Sequence, residues 1–335
     1  MQRTTEDENG PIKRKVQITG GSTYTVSIPK PWADTRGIGS GSPVYIYPFD
    51  DRLIVAQPNG NGVDRRATID VEAVGEESLR GQIGAAYAAG SDEIVVESDT
   101  RFSTSERRAA SQAITDLVGV EITTETEQEL IAKTLLDSAE VSLEGTIKQI
   151  RGIALSMHEN AVKAVVNGDS ETQIEYILSR DDEVDRLFAL VSRQFYRILT
   201  DIREINQLKA DRRTAFTQFR TARQLERIAD HAERIATVAD KQTEPPDAEI
   251  GAEFETLATD ARRVVRIALG GNAGEAILRR DDVVERLDDL DRALYDSQNE
   301  SVYLYGRVLE SIRRTAEYGG NIAEVVTLSE MTERS

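Results

Sequence analysis

Two stretches about a hundred residues apart read almost the same: Arg180-Asp181-Asp182-Glu183-Val184-Asp185-Arg186-Leu187 and Arg280-Asp281-Asp282-Val283-Val284-Glu285-Arg286-Leu287. Each lies inside a long helical pattern, so the duplication commits this half of the chain to two copies of one helical unit. From Asp137 onward the breaks fall at 167–170, 209–211, 242–247, 270–272 and 296–301. Six long helices result, and the double proline Pro245-Pro246 splits them three and three. The expected architecture here is a first three-helix bundle over 137–242 and a second over 247–331.

The remainder is organised differently. Residues 1–10 are polar and acidic and read as a disordered leader. Residues 11–58 form a β module of short strands and turns, with Val16, Ile18, Tyr24, Val26 and Ile28 spaced by two. Val44-Tyr45-Ile46-Tyr47 and Leu53-Ile54-Val55 then flank a turn at Asp50-Asp51. So short a segment buries too little surface to stand alone and is expected to be completed by a partner copy, giving a homodimer. The run 58–62 reads as a linker. Residues 64–136 alternate strands (67–71, 93–97, 120–124) with helices (near 76–89 and 103–117), a small α/β module. It has no phosphate-cradling loop and no nucleophile elbow, so it reads as a spacer or dimerisation module.

Composition narrows the chemistry. Acidic residues outnumber basic ones 59 to 41, a net charge of −18, and only eight of the basic residues are lysine. This resembles a protein of a high-salt cytoplasm and argues against nucleic-acid binding over the whole surface. Without cysteine there is no disulfide, thiolate metal site or cysteine nucleophile. No apolar signal core or bilayer-length apolar run is present, so a soluble cytoplasmic protein without membrane insertion is expected.

Acids four residues apart on one helix repel by a few tenths of a kcal/mol unless a positive charge lies between them. On the helix from about Glu171 to Leu199, Asp181 and Asp185 project into the apolar stripe of Ile174, Ile177, Val184, Phe188, Val191 and Phe195. An unpaired buried charge is costly, so compensation is required. The third helix offers Glu226, Asp230 and Glu233 along one edge of its own stripe, so five carboxylates converge if the two helices are neighbours. An all-oxygen cluster suits magnesium, calcium, manganese or iron. The competing reading is structural neutralisation by Arg186, Arg227 and Arg234. The second copy keeps Asp281, Glu285 and Asp288, but aligning Leu225 with Ile312 puts Arg313 at Glu226, Glu317 at Asp230 and Gly320 at Glu233. Metal is therefore expected first in the first bundle, with Arg313 able to stand in for a cation in the second. His231 reads as a surface ion-pair member and His158 as packing.

Residues 11–48 hold Lys13, Arg14, Lys15, Lys30 and Arg36 against the single acid Asp34. With Ser22 and Thr23 as small donors, this departure from the acidic background is a candidate DNA-phosphate surface. In molar salt such contacts weaken steeply, so shape fit and base contacts must contribute.

The run Arg14-Lys15-Val16-Gln17-Ile18-Thr19-Gly20-Gly21-Ser22-Thr23-Tyr24-Thr25-Val26-Ser27-Ile28-Pro29-Lys30, followed by Gly37-Ile38-Gly39-Ser40-Gly41, resembles the AbrB/SpoVT swapped-hairpin DNA-binding family. The helical half, through Asp181–Asp185 and Leu225–Ile235, resembles the PhoU family of phosphate-uptake regulators, and the fusion resembles the archaeal type. The resemblance implies a multidomain, DNA-binding regulator of phosphate homeostasis. It assigns metal to Asp181, Asp185, Glu226, Asp230 and Glu233, then to Asp281, Glu285 and Glu317. It also implies a protein partner, a phosphate-transporter ATPase or a sensor, and no enzymatic activity. The alternative is an adaptor that dimerises through its N-terminus, binds no DNA and inhibits a phosphate transporter.

Overall fold

The computed structural model describes residues 11–48, 52–57, 65–136, 141–168, 171–202, 204–205, 211–296 and 301–333. The expected leader 1–10, the turn at Asp50-Asp51, the linker 58–62 and parts of the breaks at 167–170, 209–211 and 296–301 lie outside the described residues. The chain divides into two units, Met1–Asp64 and Arg65–Ser335.

In the first unit, β1 (Gln17–Thr19) pairs antiparallel with β2 (Thr23–Thr25), and β3 (Tyr45–Pro48) with β4 (Leu53–Ala56). Between the hairpins lies α1 (Lys30–Thr35), which corrects the expectation of strands and turns alone. Pro31 sits in its first turn, where a missing N–H costs nothing. One and a half turns are too short to leave a periodic signal. Among the described residues of this unit none is buried, and Ile18 (66 %), Tyr24 (74 %) and Leu53 (68 %) are largely exposed. Isolated two-stranded hairpins are marginal in water, so this unit needs a further apolar surface to hold its form.

The second unit begins with a four-stranded sheet in the order β5-β6-β8-β7: β5 (Arg66–Asp70), β6 (Glu93–Glu97), β7 (Val120–Glu125) and β8 (Glu129–Thr134). β5 and β6 are parallel, joined through α2 (Val71–Val74) and α3 (Glu76–Ala88). β8 is antiparallel to both of its neighbours. The sequence reading missed β8, whose Glu129-Leu130-Ile131-Ala132-Lys133-Thr134 has only a short apolar centre. Leu130 and Ala132 nonetheless close the core with Ile69, Leu79, Ile83, Tyr87, Ile94 and Val96. α4 (Thr104–Thr115) starts at a capping box in which Ser103 and Glu106 satisfy each other's backbone N–H groups.

Two three-helix bundles follow. The first comprises α5 (Leu143–Asn167), α6 (Glu171–Thr200) and α7 (Arg212–Lys241); the second comprises α8 (Ala248–Leu269), α9 (Ala273–Asp296) and α10 (Val302–Glu333). Ser142, Asp211 and Asp247 cap the starts of α5, α7 and α8 with their side-chain oxygens. Gly168, left-handed at φ 70°, ends α5 where a side chain would be strained. The bundles meet through α5 on α8 and α7 on α10, leaving α6 and α9 on the outside. At the α7–α10 crossing, His231 and Tyr318, equivalent under the internal alignment, face each other with ring centroids 5.7 Å apart. A residue touching its own repeat counterpart lies on the axis relating the two copies.

α6 also packs on α3, fastening the sheet to the first bundle. Arg193, whose side chain is 5 % exposed, donates to the carbonyls of Tyr87 (3.2 Å) and Ser91 (2.6 Å) and to Asp92 (3.1 Å), and stacks on the Tyr87 ring. Arg197 pairs with Asp92 and Glu204 beside it. Replacing Arg193 removes three hydrogen bonds and the ring contact at once, although the Tyr87 carbonyl keeps the Gly90 N–H, the Ser91 carbonyl keeps the Thr134 hydroxyl and Asp92 keeps Arg197. Arg193→Ala is expected to cost about 3 kcal/mol of stability, measured by urea unfolding followed by circular dichroism. A loss near zero would mean that the sheet is held by apolar contacts alone.

Candidate metal centre

α7 has a nearly unbroken small and aliphatic face: Ala222, Leu225, Ile228, Ala229, Ala232, Ile235 and Ala236 are all fully buried. The alanines let neighbouring helices approach closely, and the polar sector that remains turns toward α6. Asp181, Asp185 and Asp230 each bring a carboxylate oxygen within 4.8 Å of the others. Asp181 and Asp230 are half-buried. Asp185 is exposed at the rim, at the edge of the apolar stripe rather than inside it as expected. Glu226 and Glu233 extend the cluster along α7, Glu226 interacting with Asp185 and Asp230 and Glu233 with Asp181 and Asp185.

The electrostatics are those of crowded, partly dehydrated acids. Asp181 is pushed up to about 7, first by burial and then by the charges of Asp185, Glu233 and Asp230. Glu226 also rises to about 7, again first through burial and then through Asp230, against the pull of Arg223. Asp185 and Asp230 shift upward as well, for both chiefly because the surrounding side chains displace water from the carboxylate, which holds for Asp185 even though its side chain as a whole stands exposed at the rim. Buried Oδ1 of Asp181 and Oε2 of Glu226 have no hydrogen-bond partner. Orphaned carboxylate oxygens beside a triad of acids are what an oxygen-coordinated cation would satisfy.

The expected neutralising arginines act only from a distance among the described residues, Arg227 on Glu226 and Asp230 and Arg234 on Asp230. Arg186, Arg227 and Arg234 form no ion pair with the cluster, and Arg227 instead lies over the Tyr318 ring. Arg223, which the sequence reading did not consider, is the cation that pairs with a cluster acid, reaching Glu226 at 2.7 Å. A second unforeseen cation is Arg80 of α3, 3.1 Å from Asp182 and close enough to lower Asp185. Arg223 lies one turn before Glu226 and could have been read from helical spacing; Arg80 becomes a neighbour only through folding.

The second copy is not an acid cluster. Asp281 is exposed and held by Arg280 at 2.7 Å, Asp288 by Arg313 at 2.6 Å, and Glu317 by Arg314 at 2.9 Å. Glu285 is exposed. A Cβ on Gly320 would meet Arg280 Cδ at 2.7 Å, so the missing side chain leaves room for a guanidinium. Asp281, Glu285 and Glu317 are thus not gathered, and arginine supplies the positive charge. His231 corrects another expectation: it is buried, not on the surface, with Nε2 3.3 Å from the Tyr318 hydroxyl, and burial pushes it down to about 4. His158 is fully buried against Arg262 and driven to about 3.

In the first unit, Lys13, Arg14, Lys15, Ser22, Thr23, Lys30 and Arg36 are all exposed. Ser22 and Thr23 sit at the β1–β2 turn, and Lys30 and Arg36 bracket α1. Among the described residues no helix is long and apolar enough to cross a membrane.

Residues 147–239 match the PhoU domain family, and residues 17–63 match the family described as antidote-toxin recognition MazE, bacterial antitoxin. The phosphate-specific transport system accessory protein PhoU homolog of Synechocystis sp. is 28 % identical over 177 residues, spanning 49 % of this chain and 77 % of that protein. Two solved structures are similar. The phosphate transport system regulatory protein PhoU from Streptococcus pneumoniae (19 % identity, TM-score 0.44) is matched over 57 % of this chain and 94 % of its own. PhoU from Pseudomonas aeruginosa (18 %, TM-score 0.41) is matched over 57 % and 96 %.

The raised carboxyls fix a pH dependence. Asp181 titrates near 7 in the folded chain against 3.8 in the unfolded one, so the folded state holds the proton more tightly. Its unfavourable contribution is full above about pH 7, fades as the pH falls, and is gone below about pH 4. In chelator, the melting temperature of Asp181→Asn relative to the natural protein is expected to rise between pH 5 and pH 8. A difference that stays constant across that range would refute the electrostatic account.

Proposed function

Because the chain carries a PhoU domain behind a MazE/AbrB-like N-terminal domain, we propose that it is a regulator of phosphate transport that binds DNA as a dimer and holds metal in its first bundle. The observation that carries this reading is that the PhoU match over 147–239 contains all five acids of the first cluster, while the MazE match over 17–63 begins beside the basic run at Lys13–Lys15. The relative from Synechocystis is named as an accessory protein of phosphate-specific transport, which supports the same assignment.

Asp181, Asp185 and Asp230 would hold the cation, with Glu226 and Glu233 completing an all-oxygen shell suited to magnesium, calcium, manganese or iron. Two copies joined through the exposed apolar hairpins would bring together two sets of five cations, a positive face on an otherwise acidic protein. The acidic remainder would confine DNA to that face by repulsion. A transporter subunit or sensor would be the protein partner through which phosphate status is read. The cluster would serve to brace α6 on α7, since nothing in it positions a general base or phosphate clamp for turnover.

Metal should co-purify with the natural protein and with Glu317→Gln, as measured by elemental analysis of chelator-free preparations, and be absent from Asp181→Asn/Asp230→Asn. Equal metal content in all three would remove the cluster from the proposal. Gel shifts at working salt are expected to find a preferred DNA, with the shift abolished in Lys15→Glu/Lys30→Glu. Absence of a shift on any promoter, with co-purification of a transporter ATPase, would favour the adaptor reading.

A further inference from the structure

Between α5 and α8, on the seam joining the bundles, an open cavity of about 500 Å³ is lined by Arg151, Gly152, Leu155, Ser156, Glu159 and Arg266. Its charge is anomalous in a chain of −18. Glu159 is engaged by Lys163 at 2.7 Å, whereas Arg151 and Arg266 form no ion pair among the described residues. One turn before Arg266 lies Arg262, only 6 % exposed. Its Nη groups reach neutral partners, His158 Nδ1 at 3.2 Å and Thr259 Oγ1 at 3.0 Å, and its Nε has none. Cations four residues apart on one helix repel, and the inner one touches no carboxylate, with Glu159 and Glu255 acting on it only from a distance and Glu159 shared with Arg266 and Lys163.

The wall of the cavity is also permissive. Gly152 lies inside α5, where glycine weakens a helix, and its missing side chain would project into open space. Ser156 Oγ accepts a hydrogen bond from Asn160 Nδ2 at 3.5 Å, which leaves its own hydrogen to donate outward. Gly152 and Ser156 form a low ridge to an adjoining cavity of about 180 Å³, lined on its far side by Tyr176 and Arg180.

We propose that this seam is a binding site for a small phosphoryl anion, gripped by Arg151 and Arg266 with Ser156 donating beside them and the charge of Arg262 behind. Guanidinium forks match tetrahedral oxyanions and prefer them to chloride. The phosphoryl group comes either as free phosphate or as the ester of a nucleotide whose ring crosses the ridge onto Tyr176, which is 57 % exposed. Binding on this seam would brace α5 on α8, an effector function beyond the DNA and metal roles and independent of both.

The test is isothermal titration calorimetry of the full chain with inorganic phosphate and with adenosine 5′-monophosphate. Arg151→Gln/Arg266→Gln is expected to weaken binding by about tenfold or more. These side chains are exposed, so unchanged circular dichroism should accompany the loss. Binding must persist in Asp181→Asn/Asp230→Asn, which separates this site from phosphate held by a metal. Equal affinities for the two ligands identify free phosphate as the source. Tighter binding of the nucleotide, lost in Tyr176→Ala, identifies the ester. The proposal falls if neither ligand binds, if the arginine variant binds as well as the natural protein, or if binding disappears with the aspartates.

Discussion

The close packing of α7 is the constraint on which the helical half depends. Its alanine-rich faces lie against α5, α6 and α10, and such buried surface contributes roughly 1.5–3 kcal/mol for each large aliphatic side chain. A helix enclosed this far has little choice about where its polar residues go. Glu226, Asp230 and Glu233 fall in the sector facing α6, where Asp181 and Asp185 also stand. The acids are held together because the apolar faces fix both helices, and their mutual repulsion is offset by the stability of the core around them.

Both bundles are built to one plan, yet they meet that repulsion by different means. In the first, the orphaned oxygens of Asp181 and Glu226 leave a demand for positive charge. In the second, Arg280 lies in the space left open by Gly320, and Arg313 pairs with Asp288. Two substitutions, an acid position becoming arginine and another becoming glycine, convert a cation-demanding site into one satisfied by the chain itself. The bundles still share an axis at His231 and Tyr318, so the divergence is chemical and leaves the packing alone.

Much of this was legible before folding was considered. The duplicated acidic segments, the proline break and the unequal third helices could be read because helical periodicity is local and each bundle repeats it. α1 and β8 were not legible for local reasons: α1 is too short for a period, and only two residues of β8 point into the core. Arg80 and the Arg193 clamp were hidden for another reason, since each joins residues about a hundred positions apart. His231 was misplaced because its neighbour Tyr318 comes from the other repeat. The acids of one cluster lie on two adjacent helices and so could be projected from sequence, whereas the cations around them arrive from elsewhere in the fold.

The guanidinium seated over Gly320 supplies positive charge to the second bundle from within the chain. If the first cluster holds a cation as proposed, metal depletion would act on the first bundle alone, at the α6–α7 contact. Helix α6 also carries the sheet through Arg193 and faces Arg80 through Asp182. Under the proposed metal role, an uneven pair of repeats would turn a change in ion availability into a one-sided response, with one half sensitive to it and the other serving as the frame.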